Sequence, residues 1–391
     1  MLVGLLAAEA AGAEVAVLPP TGAPVLHLAG GGQRALTPLG DVTEPTVRGV
    51  SPDRRRLVVT TAGDEALLVP TDGGPARRLG LRATANLIWS SAGLTATNLL
   101  GPTTASEQTC AVDGSCGPRR RTRDQLLGAL PDGREIRVRS ATPPLDGTDL
   151  DRWSTWRRAT PAQSRWLRNA LRRRHATTFL LVDPLAGTTT TLRRVRRTMR
   201  QGLPLPLGID PTPSAGGLLV MGLTNRYALR TRTRRGHREQ RLVDRSAIGD
   251  PWRFTATSAA TLRLSTATRA RAWGSGYVPV RDGWAAGDLD AGIALIGPGG
   301  ATTRLTVGGR PTTAAGVLRA VGIAGGAAPD DGPSEVGGSV SSISGYEPAT
   351  DSVVVVADHR RRVRVIRLPR DGRTPPTLVT TGIADTSAIA W

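Results

Sequence analysis

The sequence predicts an all-β fold: a β-propeller of about seven four-stranded antiparallel blades with one inserted amphipathic helix. Three observations predict it. A turn-strand-turn-strand pattern occupies residues 49–80, the same pattern returns at 343–382, and partial copies fill the interval at spacings of roughly 40 to 55 residues.

In "GVSPDRRRLVVTTAGDEALLVPTDGGPARRLG", Ser51-Pro52-Asp53 opens a turn, because Pro fixes φ and the Ser and Asp side chains bond nearby backbone N–H groups. Leu57 to Thr61 is a β-branched run suited to a pleated, buried surface. Gly63 interrupts it, Ala66 to Val69 resumes it, and Arg77 to Leu79 follows the turn at 71–75 as a third strand. The distant copy, "ISGYEPATDSVVVVADHRRRVRVIRLPRDGRTPPTLVTTG", places a turn at 348–351, a strand at 352–357, a turn at 358–361 and a strand at 362–368. Between them, the stretches beginning at Ala13, Leu87, Thr177, Gly216 and Ala291 each pair two runs across a Gly or Pro turn. The first strands are expected to complete the last blade or pack beside it.

The "SPD…LVV…LLV…DGG…RL" of Ser51 to Leu79 resembles the blade motif of bacterial TolB-like and WD40-like propellers, with Arg54 where that motif has Gly. "ATANLIWSSAGLTAT", Ala83 to Thr97, looks like the C-terminal propeller of the actinobacterial lipoprotein LpqB. The resemblance implies a propeller and no particular activity, because propellers host hydrolases, lyases, scaffolds and receptors alike.

At 391 residues, seven blades take about 56 residues each, within the known repeat range once insertions are allowed. A single propeller domain over 1–391 is therefore expected, with 151–176 as a basic helical insertion between blades. In that insertion Thr160, Pro161 and Gln163 form a capping-box start. Ala162, Trp166, Leu167, Ala170 and Leu171 are expected on the packing face, and Arg165, Arg168, Arg172 and Arg173 largely on the other. Two readings stand for it: a surface for an anionic membrane or polyanion, or a cap on the propeller with solvated arginines. Arginines at 193–200 and 230–238 extend a basic face or project outward from strands.

The chain carries a net +19, and every cation of its 51 Lys+Arg is Arg. Such an excess suits nucleic acid, since clustered Arg releases counterions from phosphates. The absence of Lys beside abundant Ala, Gly, Pro and Thr is also what a very GC-rich coding sequence produces, so the charge bears on partners and solubility rather than fold.

Cys110 and Cys116 flank Asp113-Gly114, a turn that brings both ends together, so a disulfide is expected, with unpaired thiols and a metal as the other readings. A disulfide implies an oxidising compartment. The N-terminal "MLVGLLAAEAAGA" lacks a basic n-region and the start could lie inside a longer gene, so localisation is open, with extracytoplasmic favoured over cytoplasmic. No run reaches the ~20 apolar residues of a membrane span.

His27, His175, His237 and His359 are far apart, no G-x-S-x-G elbow occurs, and Asp146, Asp149 and Asp151 lack the spacing of a Ca²⁺ loop and are expected in a solvated acidic loop. No catalytic residue, metal or cofactor is implied. The expected function is non-enzymatic binding of a protein or an anionic cell-envelope polymer on one rim. Two alternatives stand: an enzyme with a site in the central channel, marked by converging carboxylates and His, and a nucleic-acid-binding basic propeller.

Overall fold

In the computed structural model, residues 14–390 are described except 20–22, 29–31, 41, 43, 52, 63–64, 83–85, 91, 102–103, 141–144, 146, 208–216, 290–291, 324–340, 360–361 and 384–385. Seven four-stranded units follow one another around a ring. Blade 1 contains Thr46–Val50, Arg56–Thr60, Glu65–Pro70 and Arg77–Arg82, and blade 2 contains Asn86–Ser90, Gly93–Gly101, Thr104–Cys110 and Arg120–Thr122. Blade 3 contains Asp124–Ala129, Glu135–Ser140, Arg174–Asp183 and Thr188–Thr198; blade 4 contains Leu203–Leu207, Leu218–Asn225, Trp252–Phe254 and Ala259–Thr261. Blade 5 contains Tyr277–Val280, Gly283–Ala286, Ala294–Ile296 and Thr302–Arg304, and blade 6 contains Ser341–Glu347, Ser352–His359, Arg362–Pro369 and Thr377–Ile383. Blade 7 joins the two ends of the chain: Ser387–Ala390 pairs antiparallel with Glu14–Leu18, followed by Val25–Leu28 and Gln33–Ala35. A parallel bridge between Gly345 and Ala390 links the first strands of blades 6 and 7.

The continuous apolar runs have a physical reason. A strand within a blade is covered on both faces, by the blade before and the blade after, so both alternating sets of side chains must be apolar. Leu57 and Val59 pack against Ala16, Leu18 and Leu26 of blade 7, while Val58 between them packs with Leu68, Leu87 and Leu94 towards blade 2. Val353 and Val355 face blade 5 through Val280 and Ala285, and Val354 faces Val15 and Val17 of blade 7. Phe179, Trp252 and Phe254 fill the boundary of blades 3 and 4, with ring centroids 4.4 Å and 5.2 Å from Phe179.

The boundary of blades 2 and 3 adds charge to buried Leu126 and Leu180, which share the face of Arg137 in register. The Arg137 guanidinium reaches Glu107 of blade 2 at 2.9 Å and Glu135 of its own blade at 2.8 Å, and it donates to the Asp124 carbonyl. Glu107 also accepts from the Leu126 N–H at 3.1 Å.

The turn at Ser51 forms as the sequence predicts: the Asp53 carboxylate accepts from the Arg55 N–H and the Ser51 hydroxyl from the Arg56 N–H. Arg54, standing where the blade motif has Gly, holds φ +58°. The hairpin read from Gly216 is corrected. Leu218–Asn225 and Tyr227–Arg234 are both strands, but they do not pair with each other. The second run carries Arg at alternate positions and has no second apolar face to bury, so it leaves the blade and pairs with His237–Asp244.

Candidate polyanion-binding rim

In an antiparallel blade the first-to-second and third-to-fourth turns lie at one end of the ring, and the second-to-third connections at the other. Blades 3 and 4 both carry long insertions in the second-to-third connection, so both rise from the same rim. The first insertion contributes α1 (Gly147–Trp153), the short strand Arg157–Arg158 and α2 (Pro161–Arg172). The second contributes the hairpin Tyr227–Arg234 with His237–Asp244. Arg157–Arg158 adds to that hairpin as its third strand, Arg157 opposite Gln240 and Arg158 opposite Glu239. The two insertions share a core of Trp153, Leu167, Ala170, Leu171 and Leu242, with Met199 from the end of blade 3.

The capping box of α2 is present in both directions. Thr160 Oγ1 accepts from the Gln163 N–H at 3.2 Å, and Gln163 Oε1 accepts from the Thr160 N–H at 2.9 Å. Ser164, Leu167, Ala170 and Leu171 face inward. Trp166 and Ala162 do not share this face, a correction to the sequence expectation: Trp166 is 42% exposed, and Ala162 is exposed too. The inward arc is centred a full 100° from Trp166, on the side where Ser164 meets Leu167 and Leu171. The acidic run read as a loop is partly helical, with Asp149 and Asp151 inside α1; Asp146 lies outside the described residues. An acid in a first helical turn complements the macrodipole.

Of the predicted basic residues, Arg165, Arg168 and Arg172 lie on one column of α2, three and four residues apart. Arg173 is the C-cap in extended backbone, its N–H on the Asn169 carbonyl. Arg165, Arg172 and Arg173 are exposed, and Arg168 is half-buried. The chain passes straight from Arg173 into the third strand of blade 3, whose register sets Ala176 opposite Arg196 and Thr178 opposite Arg194 on the outermost strand. No carboxylate among the described residues pairs with any of these arginines.

Sequence reading alone missed Trp156 and the strand Arg157–Arg158. Arg232 and Arg241 stack on Trp156 with guanidinium carbons 4.2 Å and 4.9 Å from the ring centroid, and Arg232 also pairs with Glu239 at 2.8 Å. The signal that could have found the hairpin is Arg235-Gly236, both at positive φ, between two strands with alternating Arg. Residues 147–248 hold 21 of the 51 arginines and 6 of the 32 acids, which places +15 of the net +19 in about a quarter of the chain.

Elsewhere, Cys110 and Cys116 are joined by a disulfide in the third-to-fourth turn of blade 2, on the opposite rim. The Ser115 hydroxyl and N–H hold the Asp113 carboxyl in that turn below the usual carboxylate range. On the first strands of their blades, Asp124 begins its strand and Glu347, fully buried, ends its own, so strands running in parallel set them at opposite ends of the ring. Each is held by an arginine of its own blade, Arg139 and Arg367. Among the described residues no group of three His, Cys, Asp or Glu is placed to hold a metal, and no helix is long and apolar enough to cross a membrane.

The seven blades and the rim insertions define a β-propeller with a basic cap. No protein-family model matches the chain, and no curated protein does. Solved structures similar to it include AztD from Citrobacter koseri, in its apo form, at 9% identity over 97% of this chain and 98% of that one, TM-score 0.43. TolB from Acinetobacter baumannii matches at 11% identity over 96% of this chain and 66% of that one, TM-score 0.37. The WD40 repeats of RRP9 match at 10% identity over 94% and 86%, TM-score 0.35.

Proposed function

We propose that this chain is a single propeller domain that binds rather than catalyses, works outside the cytoplasm, and docks an anionic cell-envelope polymer on the basic rim through the 151–176 insertion and its neighbours. The observation that carries the reading is the concentration of arginines without carboxylate partners on one rim, Arg165, Arg168, Arg172 and Arg173 among them. Like charges three and four residues apart on a helix cost a few tenths of a kcal/mol each. Their placement therefore detracts from helix stability, and a polyanion would relieve the repulsion. The disulfide supports an oxidising compartment.

The test is a titration of the full chain with heparin as a defined polyanion. Affinity should fall at least tenfold from about 50 to about 200 mM salt, as counterion release requires. An absence of binding at the lower salt overturns the proposal.

A further inference from the structure

The geometry points to a phosphodiester-linked polyol polymer as the ligand, lying along a stripe of Arg194, Arg196, Arg174, Arg172, Arg168 and Arg165. This inference rests on the polyanion reading of the rim and sharpens it. Arg194 and Arg196 project from the same face of an edge strand at alternate positions, about 7 Å apart. Thr198, the next residue on that face, is opposite Arg174, so the stripe advances by one more such step. The chain then enters α2, where Arg172, Arg168 and Arg165 climb one column by about 5–6 Å per turn. The stripe thus sets arginines at backbone steps of about 4.5 to 7 Å, differences that the long Arg side chains can span.

A polymer with a three-carbon polyol between phosphates has six backbone bonds per repeat. Six extended bonds span about 7 Å, the reach of two polypeptide residues. One phosphate per arginine is then possible along the stripe, each in a charge-assisted contact. Inorganic polyphosphate, with two bonds per repeat, packs its charges more than twice as densely. Duplex DNA has the same six-bond repeat but winds it helically, rising about 3.4 Å of axis per phosphate on each strand, so its phosphates turn away from a straight stripe. A single-stranded nucleic acid has a similar backbone repeat, but its binding sites add free aromatic platforms. In the neighbouring sheet Trp156 is clasped by Arg232 and Arg241 and Tyr227 is half-buried, and Trp166 is the one exposed aromatic of α2, a single platform rather than the row on which successive bases stack. These contacts favour a chain of phosphates without bases.

The experiment compares three probes of equal phosphate number on the full chain: oligo(glycerol phosphate), oligo-dT and inorganic polyphosphate. Oligo(glycerol phosphate) should bind at least tenfold tighter than either. The variant Arg194→Ala/Arg196→Ala, at exposed positions, should lower the slope of log affinity against log salt by about 1.4, at 0.7 per lost phosphate contact. Equal binding of all three probes, or an unchanged slope in the variant, overturns the inference while leaving the polyanion reading standing. Tighter binding of oligo-dT overturns it in favour of nucleic acid. No binding of any probe overturns both.

Discussion

Replacing Arg137 with Met should separate blades 2 and 3. Six of the seven blade boundaries are filled by apolar clusters, whereas this one adds to buried Leu126 and Leu180 a guanidinium shared between Glu107 and Glu135. The side chains of Arg137, Glu107 and Glu135 are 17%, 11% and 7% exposed, so solvent screens the group weakly. Burial alone would push the Arg137 pKa down, but the two carboxylates outweigh it and raise it above its ordinary value. Removing the cation leaves two carboxylates with little water, a change that costs about 3–5 kcal/mol for a buried pair. Urea unfolding followed by Trp fluorescence should show that loss as a lower midpoint with an unchanged slope. Adding Glu107→Gln and Glu135→Gln should restore most of it, because neutral replacement of a whole buried network is close to neutral. A loss under about 1 kcal/mol in the single variant, or a triple variant no more stable than the single, would refute the claim that charge helps to hold this boundary.

Three further outcomes follow. Arg54→Gly should raise stability by about 0.5–1 kcal/mol in urea unfolding, since Arg54 holds φ +58° and only Gly adopts that region freely; a destabilised variant contradicts this. Val354→Asp should abolish cooperative folding, read by circular dichroism, because Val354 is fully buried against Val15, Val17 and Val365 and an unpaired buried carboxylate is costly; a folded variant of unchanged midpoint would count against blade 6 as described. Burial, and then Arg367, hold the His27 pKa below 6.5, so protons bind the unfolded chain more readily than the folded one. That stabilising difference is present above about pH 6.5 and is lost as pH falls through the folded value, so His27→Gln should flatten the decline of the urea midpoint between about pH 7 and pH 5. An identical decline in both proteins excludes His27 as its source.

Much of the ring was legible because each blade is a local object. Ser51 to Leu79 and Ser352 to Leu368 announce their strands through β-branched runs and their turns through Pro, Asp and Gly, and the observed strands agree within a few residues. The expectation that the first strands complete the last blade also holds, in the pairing of Glu14–Leu18 with Ser387–Ala390. Thr160, Pro161 and Gln163 set the start of α2, since a cap is decided within four residues. The rim was legible only in part. That Arg157–Arg158 pairs with Gln240 and Glu239 depends on residues some eighty positions away, and no local pattern encodes such a partner. Trp166 was misplaced because a large apolar side chain at the margin of a helical face reads as core unless the neighbouring surface is known. The tie between Glu107 and Arg137 was invisible for the same reason.

Under the proposed function, the basic rim, and not the general charge of the chain, binds the polymer. The most direct test compares two triple variants for heparin affinity across salt: Arg165→Gln/Arg168→Gln/Arg172→Gln on the basic rim, and Arg54→Gln/Arg55→Gln/Arg119→Gln on the turns of the opposite rim, which remove the same charge. The first should lower the slope of log affinity against log salt by about 2 and the second should leave it unchanged. Equal effects of the two would show that net charge alone attracts the polyanion, and would contradict the account.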